Sequence, residues 1–153
     1  SGSKTAAKRL VAVGEAIFAG YRRRSDIGSH ALLGQMTGRE VLSLELADPR
    51  FYHLDTCFAP LAPDAALYYP PAFDEYGVRV IQHHLPRAVA VSPELARRFG
   101  CNAVVVGDTL VTNAGCEGLA ELIEPFGLHL QMVDLSEFMK SGGSAKCLVL
   151  RLE

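Results

Sequence analysis

The strongest constraint on the fold of this chain is an order of elements that recurs. Strand, strand, helix, strand is read, approximately, around two predicted hairpins, and the repeat shows in architecture while hardly showing in sequence. Leu67-Tyr68-Tyr69 reads as the hairpin partner of a strand running from Phe51 to Phe58. Val104-Val105-Val106 and Thr109-Leu110-Val111 flank Gly107-Asp108, a turn pair that reverses a strand tightly. A chain ordered in this way is an α/β protein of small blade-like modules, and about three of them fit.

The segments between the hairpins carry helix signals. Gly28 to Met36 reads as a helix closed by Gly38. Val41 to Leu46 is a strand that stops before Asp48-Pro49, since proline cannot donate to a ladder. Ile17-Phe18-Ala19 is a strand leading into the arginine run Arg22-Arg23-Arg24. Phe73 to Leu85 is a helix weakened by Gly77. After the short strand Ala88 to Val91, Ser92 is an N-cap with Pro93 at the first helical position, and Gly100 closes that helix. Cys116 to Phe126 is an amphipathic helix ending at Gly127, followed by a strand from Leu128 to Val133. Ala145 to Leu152 reads as the last strand, with Cys147 near its start.

Composition narrows the function classes. A chain of 153 residues, 49% of them apolar, fits one domain, 1–153, with an ordinary core. The formal charge of −2 argues against a nucleic-acid partner, which draws on a basic stripe. No apolar stretch approaches the roughly 20 residues that span a bilayer, and no signal peptide is visible, so a cytoplasmic protein is expected. The cysteines, Cys57, Cys101, Cys116 and Cys147, form no CxxC pair, and a structural metal is not expected. Cys57, Cys101 and Cys116 sit among apolar or small residues and read as buried, inert thiols.

Two segments carry chemistry. Tyr52-His53-Leu54-Asp55-Thr56 alternates in character, and in a strand His53 and Asp55 share a face. Gly142-Gly143-Ser144-Ala145-Lys146-Cys147 puts a thiol shortly after a glycine pair that lets the backbone approach a substrate. A thiolate nucleophile, an imidazole acid/base with a pKa near 6.5, and a buried carboxylate seeking a cation would form a covalent site. Blander readings stand beside this one. Cys147 could be a buried cysteine after a glycine turn, His53 a satisfied core histidine, and Asp55 the partner of one of the chain's own arginines. Arg22, Arg23 and Arg24 could be a solvated basic loop.

His53-Leu54-Asp55-Thr56 followed late in the chain by Gly142-Gly143-Ser144-x-x-Cys147 resembles the guanidino-group-modifying enzymes: arginine deiminases, dimethylargininases and amidinotransferases. Arg24-Ser25-Asp26 resembles an upstream motif of the same enzymes. The resemblance implies the pentein fold, an α/β-propeller of five strand-strand-helix-strand modules, here incomplete at about three. It implies that Cys147 attacks the guanidinium carbon and that His53 serves as acid and base. It further implies that Asp55 binds the guanidinium, that Arg24 anchors a substrate carboxylate, and that Asp26 orients that arginine or binds an amino group. Gly142 and Gly143 would line the substrate. The product-forming step would be hydrolysis of a C–N bond of a small, arginine-like guanidine through a thiouronium, with no metal or organic cofactor. Alternatives are an amidinotransferase, a non-catalytic pentein fragment acting as an interaction module, and an unrelated papain-like hydrolase. Full-length members are longer and supply a further acidic residue from their first half. Self-association, a missing N-terminal half or a second chain is therefore expected.

Overall fold

The structure is a computed structural model, and it describes residues 10–22 and 28–149. Three modules follow one another. The first comprises β1 (Leu10–Val13), β2 (Ala16–Tyr21), helix α1 (Gly28–Thr37) and β3 (Val41–Glu45). The second comprises β4 (Phe58–Ala62), β5 (Ala65–Tyr68), α2 (Glu75–His84) and β6 (Val89–Ala90), and is followed by the short helix α3 (Pro93–Arg97). The third comprises β7 (Val104–Val106), β8 (Thr109–Asn113), α4 (Leu119–Ile123) and β9 (His129–Val133), and is followed by α5 (Ser136–Met139) and α6 (Ala145–Leu148).

Each module builds the same three-stranded sheet. An antiparallel hairpin comes first, as in Val11 opposite Phe18, Ala59 opposite Leu67 and Val105 opposite Leu110. The third strand then pairs parallel to the second: Phe18 with Leu42, Leu67 with Val89, Leu110 with Leu130. A parallel return needs a crossover, and a helix supplies it each time. The second strand is therefore always the middle one. β5 (Ala65–Tyr68) is buried along its whole length, and β2 at its four central residues, so both read as unbroken apolar runs without alternation.

The first strands of the modules are neighbours: β1 lies against β4, and β4 against β7. That is how blades sit around a common centre. The buried apolar side chains form one continuous cluster across the three sheets, with Phe18, Leu44, Phe58, Leu67, Ile81, Leu110 and Ile123 among the most enclosed. Among the described residues, no helix is long and apolar enough to cross a membrane.

Most helix and turn expectations hold, with instructive exceptions. Ser92 caps α3 by accepting from the Leu95 amide, and Gly38, Gly107 and Gly127 all adopt the left-handed conformation that ends a helix or reverses a strand. Gly77 does not interrupt α2. The Asp74 side chain caps this helix by accepting from the Gly77 amide at 2.8 Å, and a Cβ at residue 77 would stand 2.9 Å from that carboxylate oxygen. The expected helix from Cys116 shortens to α4, and Glu124–Phe126 tightens to a 3-10 turn containing Pro125. Strand β1, closed on β2 through Gly14, was not anticipated; the signal was the short apolar run Leu10-Val11-Ala12-Val13 before a glycine.

Two expected strands are corrected. Phe51 to Phe58 is not a strand: His53 is extended (φ −134°, ψ 153°) and Leu54–Thr56 forms one 3-10 turn. The Thr56 hydroxyl donates to the His53 carbonyl at 2.6 Å, and the Thr56 and Cys57 amides bond to the carbonyls three residues back. Local bonds of this kind satisfy groups that a ladder would otherwise use. His53 and Asp55 therefore do not share the face of a strand. In the expected strand Ala145 to Leu152, Ala145–Leu148 is instead a single helical turn carrying Cys147, and residues 150–152 lie outside the described residues.

Candidate active site

The chemistry-bearing residues come from the connectors that leave each module, not from the sheets. The first connector spans 46–57, the second 91–103 and the third 134–149. Loops carried by a rigid scaffold are the usual seat of a site.

In the first connector, Leu46 bridges to Phe73, and the Asp48 side chain then accepts from the Arg50 amide at 2.9 Å, turning the chain at Pro49. Phe51 packs on Tyr69 with ring centres 5.3 Å apart. This brings Tyr52 against Gly142 and Asp55 against Cys147. His53 and Asp55 are both buried, the latter 1% exposed. The His53 ring lies edge-on to Tyr52 at 4.9 Å.

The third connector is shaped by its glycines. Gly142 has φ +80°, and a Cβ there would lie 2.8 Å from the Tyr52 hydroxyl. That hydroxyl donates to the Gly142 carbonyl. At Gly143 a Cβ would meet the Cys147 Cβ at 3.1 Å and its sulfur at 3.5 Å. The glycine pair thus makes room for a tyrosine on one side and for the thiol on the other.

The first and third connectors meet at the reactive groups. The Cys147 thiol faces a carboxylate oxygen of Asp55 at 3.6 Å. Beside them lies Asn102, from the second connector, a residue that no sequence motif singles out. Its side-chain nitrogen donates to the Asp55 carbonyl at 2.9 Å and lies 3.3 Å from the Cys147 sulfur. Its side-chain oxygen accepts from the Ser144 amide at 2.9 Å and the Cys147 amide at 3.3 Å. Its backbone carbonyl takes the Lys146 amide at 3.0 Å. Three amides of 144–147 are therefore bonded to Asn102, which explains why this segment closes into a turn and does not extend as a strand.

The remaining thiols differ from Cys147. Cys57, Cys101 and Cys116 are buried, and Cys147 is half-buried. Burial pushes the Cys57 and Cys101 thiols well above the usual range. It also raises Cys116, where Arg98 opposes the shift. Arg24 and Asp26, expected to bind substrate, lie outside the described residues. The neighbouring Arg22 is held by Glu45 at 2.5 Å. Among the described residues no cluster of histidine, cysteine and carboxylate side chains could hold a metal ion.

No family model matches the chain. The bifunctional arginine dihydrolase/ornithine cyclodeaminase ArgZ of Synechocystis sp. is 45% identical over 141 residues, which cover 91% of this chain and 20% of that protein. The N(G),N(G)-dimethylarginine dimethylaminohydrolase of Mycobacterium tuberculosis is 42% identical over 143 residues, 94% of this chain and 47% of that one. Among solved structures, a variant N-terminal domain of ArgZ covalently bound to a reaction intermediate matches with a TM-score of 0.86 and 41% identity, over 92% of this chain and 53% of that one. The chain is a homologue of the guanidino-group-modifying enzymes. It shares the pentein fold of that superfamily, as the ordered motifs around His53 and Cys147 imply. It spans about a fifth of ArgZ and about half of the other two.

Proposed function

We propose that this chain carries the nucleophile and the acid/base of an enzyme that hydrolyses a C–N bond of a small, arginine-like guanidine. The observation that carries the reading is the Cys147 sulfur standing 3.6 Å from the Asp55 carboxylate, with Asn102 between their backbones. A nucleophile next to a buried carboxylate suits a planar cation whose carbon must be attacked. The homologues support the class: one is an arginine dihydrolase, another hydrolyses dimethylarginine, and the ArgZ domain has been captured with a covalent intermediate.

The steps balance as follows. A guanidinium is resonance-stabilised and a poor electrophile, and Asp55 holds and polarises it. The Cys147 thiolate forms a C–S bond to the central carbon. As the tetrahedral centre collapses, the C–N bond breaks and His53 gives a proton to the departing amine, leaving a thiouronium on Cys147. His53, now neutral, takes a proton from water. The resulting hydroxide adds to the same carbon, and the C–S bond breaks to return the thiolate as the added hydroxyl gives its proton to solvent, releasing a neutral ureido product. Arg24 is assigned to a substrate carboxylate and Asp26 to orienting it or to an amino group, both on the motif they share with the superfamily. Residues 1–153 form one domain in this proposal, and the continuous core supports that. A second acidic group for the guanidinium is assigned to another part of the protein or to a second copy, in keeping with relatives that are about twice as long.

Labelling with 2-chloroacetamidine followed by peptide mapping tests the nucleophile without requiring turnover. Cys147 should be modified first and alone. Mass analysis after incubation with arginine or dimethylarginine should then find a thiouronium on the Cys147 peptide, with ammonia or an alkylamine released. Equal labelling of Cys57, Cys101 and Cys116 would sink the proposal.

A further inference from the structure

We infer that Asn102 is the positioning residue of this site, its carboxamide holding the Cys147 sulfur and the Asp55-bearing turn in one fixed relation. The inference rests on Cys147 acting as the nucleophile.

A carboxamide bonds in both directions. It has two N–H donors and an oxygen with two lone pairs. All four are used here. The oxygen takes the Ser144 and Cys147 amides, and the nitrogen faces the Asp55 carbonyl and the Cys147 sulfur. This pattern also decides which way the amide points. Turned over, its nitrogen would face two N–H groups, and its oxygen would face a carbonyl and a sulfur. The side chain is fully buried, so water cannot replace any of these bonds.

Its partners lie on two other connectors, Asp55 on the first and Ser144 and Cys147 on the third. Asn102 is separated from Asp55 by 47 residues and from Cys147 by 45. Among the described residues no sheet joins the two connectors at this point. The carboxamide therefore sets the distance from thiol to carboxylate, on which placement of a guanidinium carbon depends. The bond to sulfur does a second thing. Donation to a group strengthens as the group becomes anionic, so the Asn102 N–H favours thiolate over thiol. Asp55 acts in the opposite sense, because a carboxylate 3.6 Å away disfavours a second negative charge. The Asn102 N–H works against that repulsion.

The variant Asn102→Asp keeps the shape and exchanges the donor for an anionic oxygen beside the sulfur. Asn102→Ser removes the reach to sulfur without adding charge. The readout is the alkylation rate of Cys147 by iodoacetamide as a function of pH, resolved by peptide mapping on the purified chain. In both variants the midpoint should move to higher pH, with the rate at pH 7 falling about tenfold or more for Asn102→Asp and less for Asn102→Ser. The limiting rate at high pH should remain. A midpoint unchanged in a folded variant, with lowered stability alone, would overturn the proposal and reduce Asn102 to a structural tie. A wild-type Cys147 that labels no faster than Cys116 would instead remove the nucleophile reading, and this inference with it. If Asn102→Asp does not fold, Asn102→Ser carries the test.

Discussion

The Cys147 sulfur lies 3.6 Å from a carboxylate oxygen of Asp55, across 92 residues of sequence. The thiol donates to that carboxylate, and Asp55 is almost completely buried, a setting in which a carboxylate is stabilised by such bonds and by cations. If Asp55 binds a guanidinium as proposed, Cys147 should prefer cationic reagents, and that selectivity can be measured.

Asp55→Asn should remove the preference of Cys147 for a cationic reagent. Chloroacetamidine carries a positive charge and iodoacetamide carries none. Losing one nearby negative charge should lower the ratio of their rates by about tenfold or more. Because the substitution also relieves repulsion on the thiolate, the iodoacetamide rate should hold or rise. If both rates fell together, Asp55 would be a structural residue and not the cation's partner.

Gly142→Ala should be costly. The residue has φ +80°, and the new methyl would stand 2.8 Å from the Tyr52 hydroxyl that bonds to its carbonyl. Backbone strain and displacement of Tyr52 together should lower stability by about 2 kcal/mol, and Cys147 labelling should slow. Gly38→Ala is the control, since its φ is +66° with nothing within 4 Å. It should cost about 1 kcal/mol and leave labelling unchanged. Denaturant midpoints for the two variants would separate strain from crowding.

The buried thiols predict how stability varies with pH. Cys57 and Cys101 are held protonated by burial, so their folded pKa values lie above the unfolded value of about 8.5. Between those values the unfolded chain has released protons that the folded chain keeps. Their effect on stability is therefore constant below about pH 8.5 and becomes progressively unfavourable above it. Urea midpoints should fall from pH 8 to pH 10, and more gently in a Cys57→Ala, Cys101→Ala double variant. An equal fall in both proteins would place the alkaline sensitivity elsewhere.

Local signals in the sequence located much of the fold and little of the site's geometry. The Gly107-Asp108 turn, the Ser92-Pro93 cap and the stops at Gly38 and Gly127 involve residues near one another in the chain, and all were readable. The placement of His53 and Asp55 was argued from a strand period, yet Thr56 closes a 3-10 turn there by bonding to the His53 carbonyl. One hydroxyl outweighed an alternation of five residues. Asn102 left no signal beyond a single polar residue between Cys101 and Ala103. Its meaning lies in amides and a sulfur more than 40 residues away, and no periodicity reports such contacts. The motifs around His53 and Cys147 were found by resemblance, which compresses three-dimensional information that the residues alone do not display.

Gly77→Ala offers a test in which the usual sign is reversed. Replacing glycine by alanine inside a helix ordinarily stabilises by about 1 kcal/mol. Gly77, however, sits in the first turn of α2, where its amide donates to the capping Asp74 carboxylate at 2.8 Å. The added methyl would approach that same oxygen to 2.9 Å, with Phe73 and Leu44 closing the other sides. The carboxylate must then move and the cap weakens, a loss of about 1 kcal/mol or more that exceeds the gain in propensity at a first-turn position. Gly77→Ala should therefore lower stability, and Asp74→Ala should lower it by about 1 kcal/mol on its own. In the Asp74→Ala background the clash is gone, and Gly77→Ala should become neutral or stabilising. Urea unfolding of the four proteins in this cycle gives the coupling directly. Stabilisation by Gly77→Ala in the otherwise native chain would show that Asp74 can turn aside without losing its bond, and that the glycine is not required by the cap.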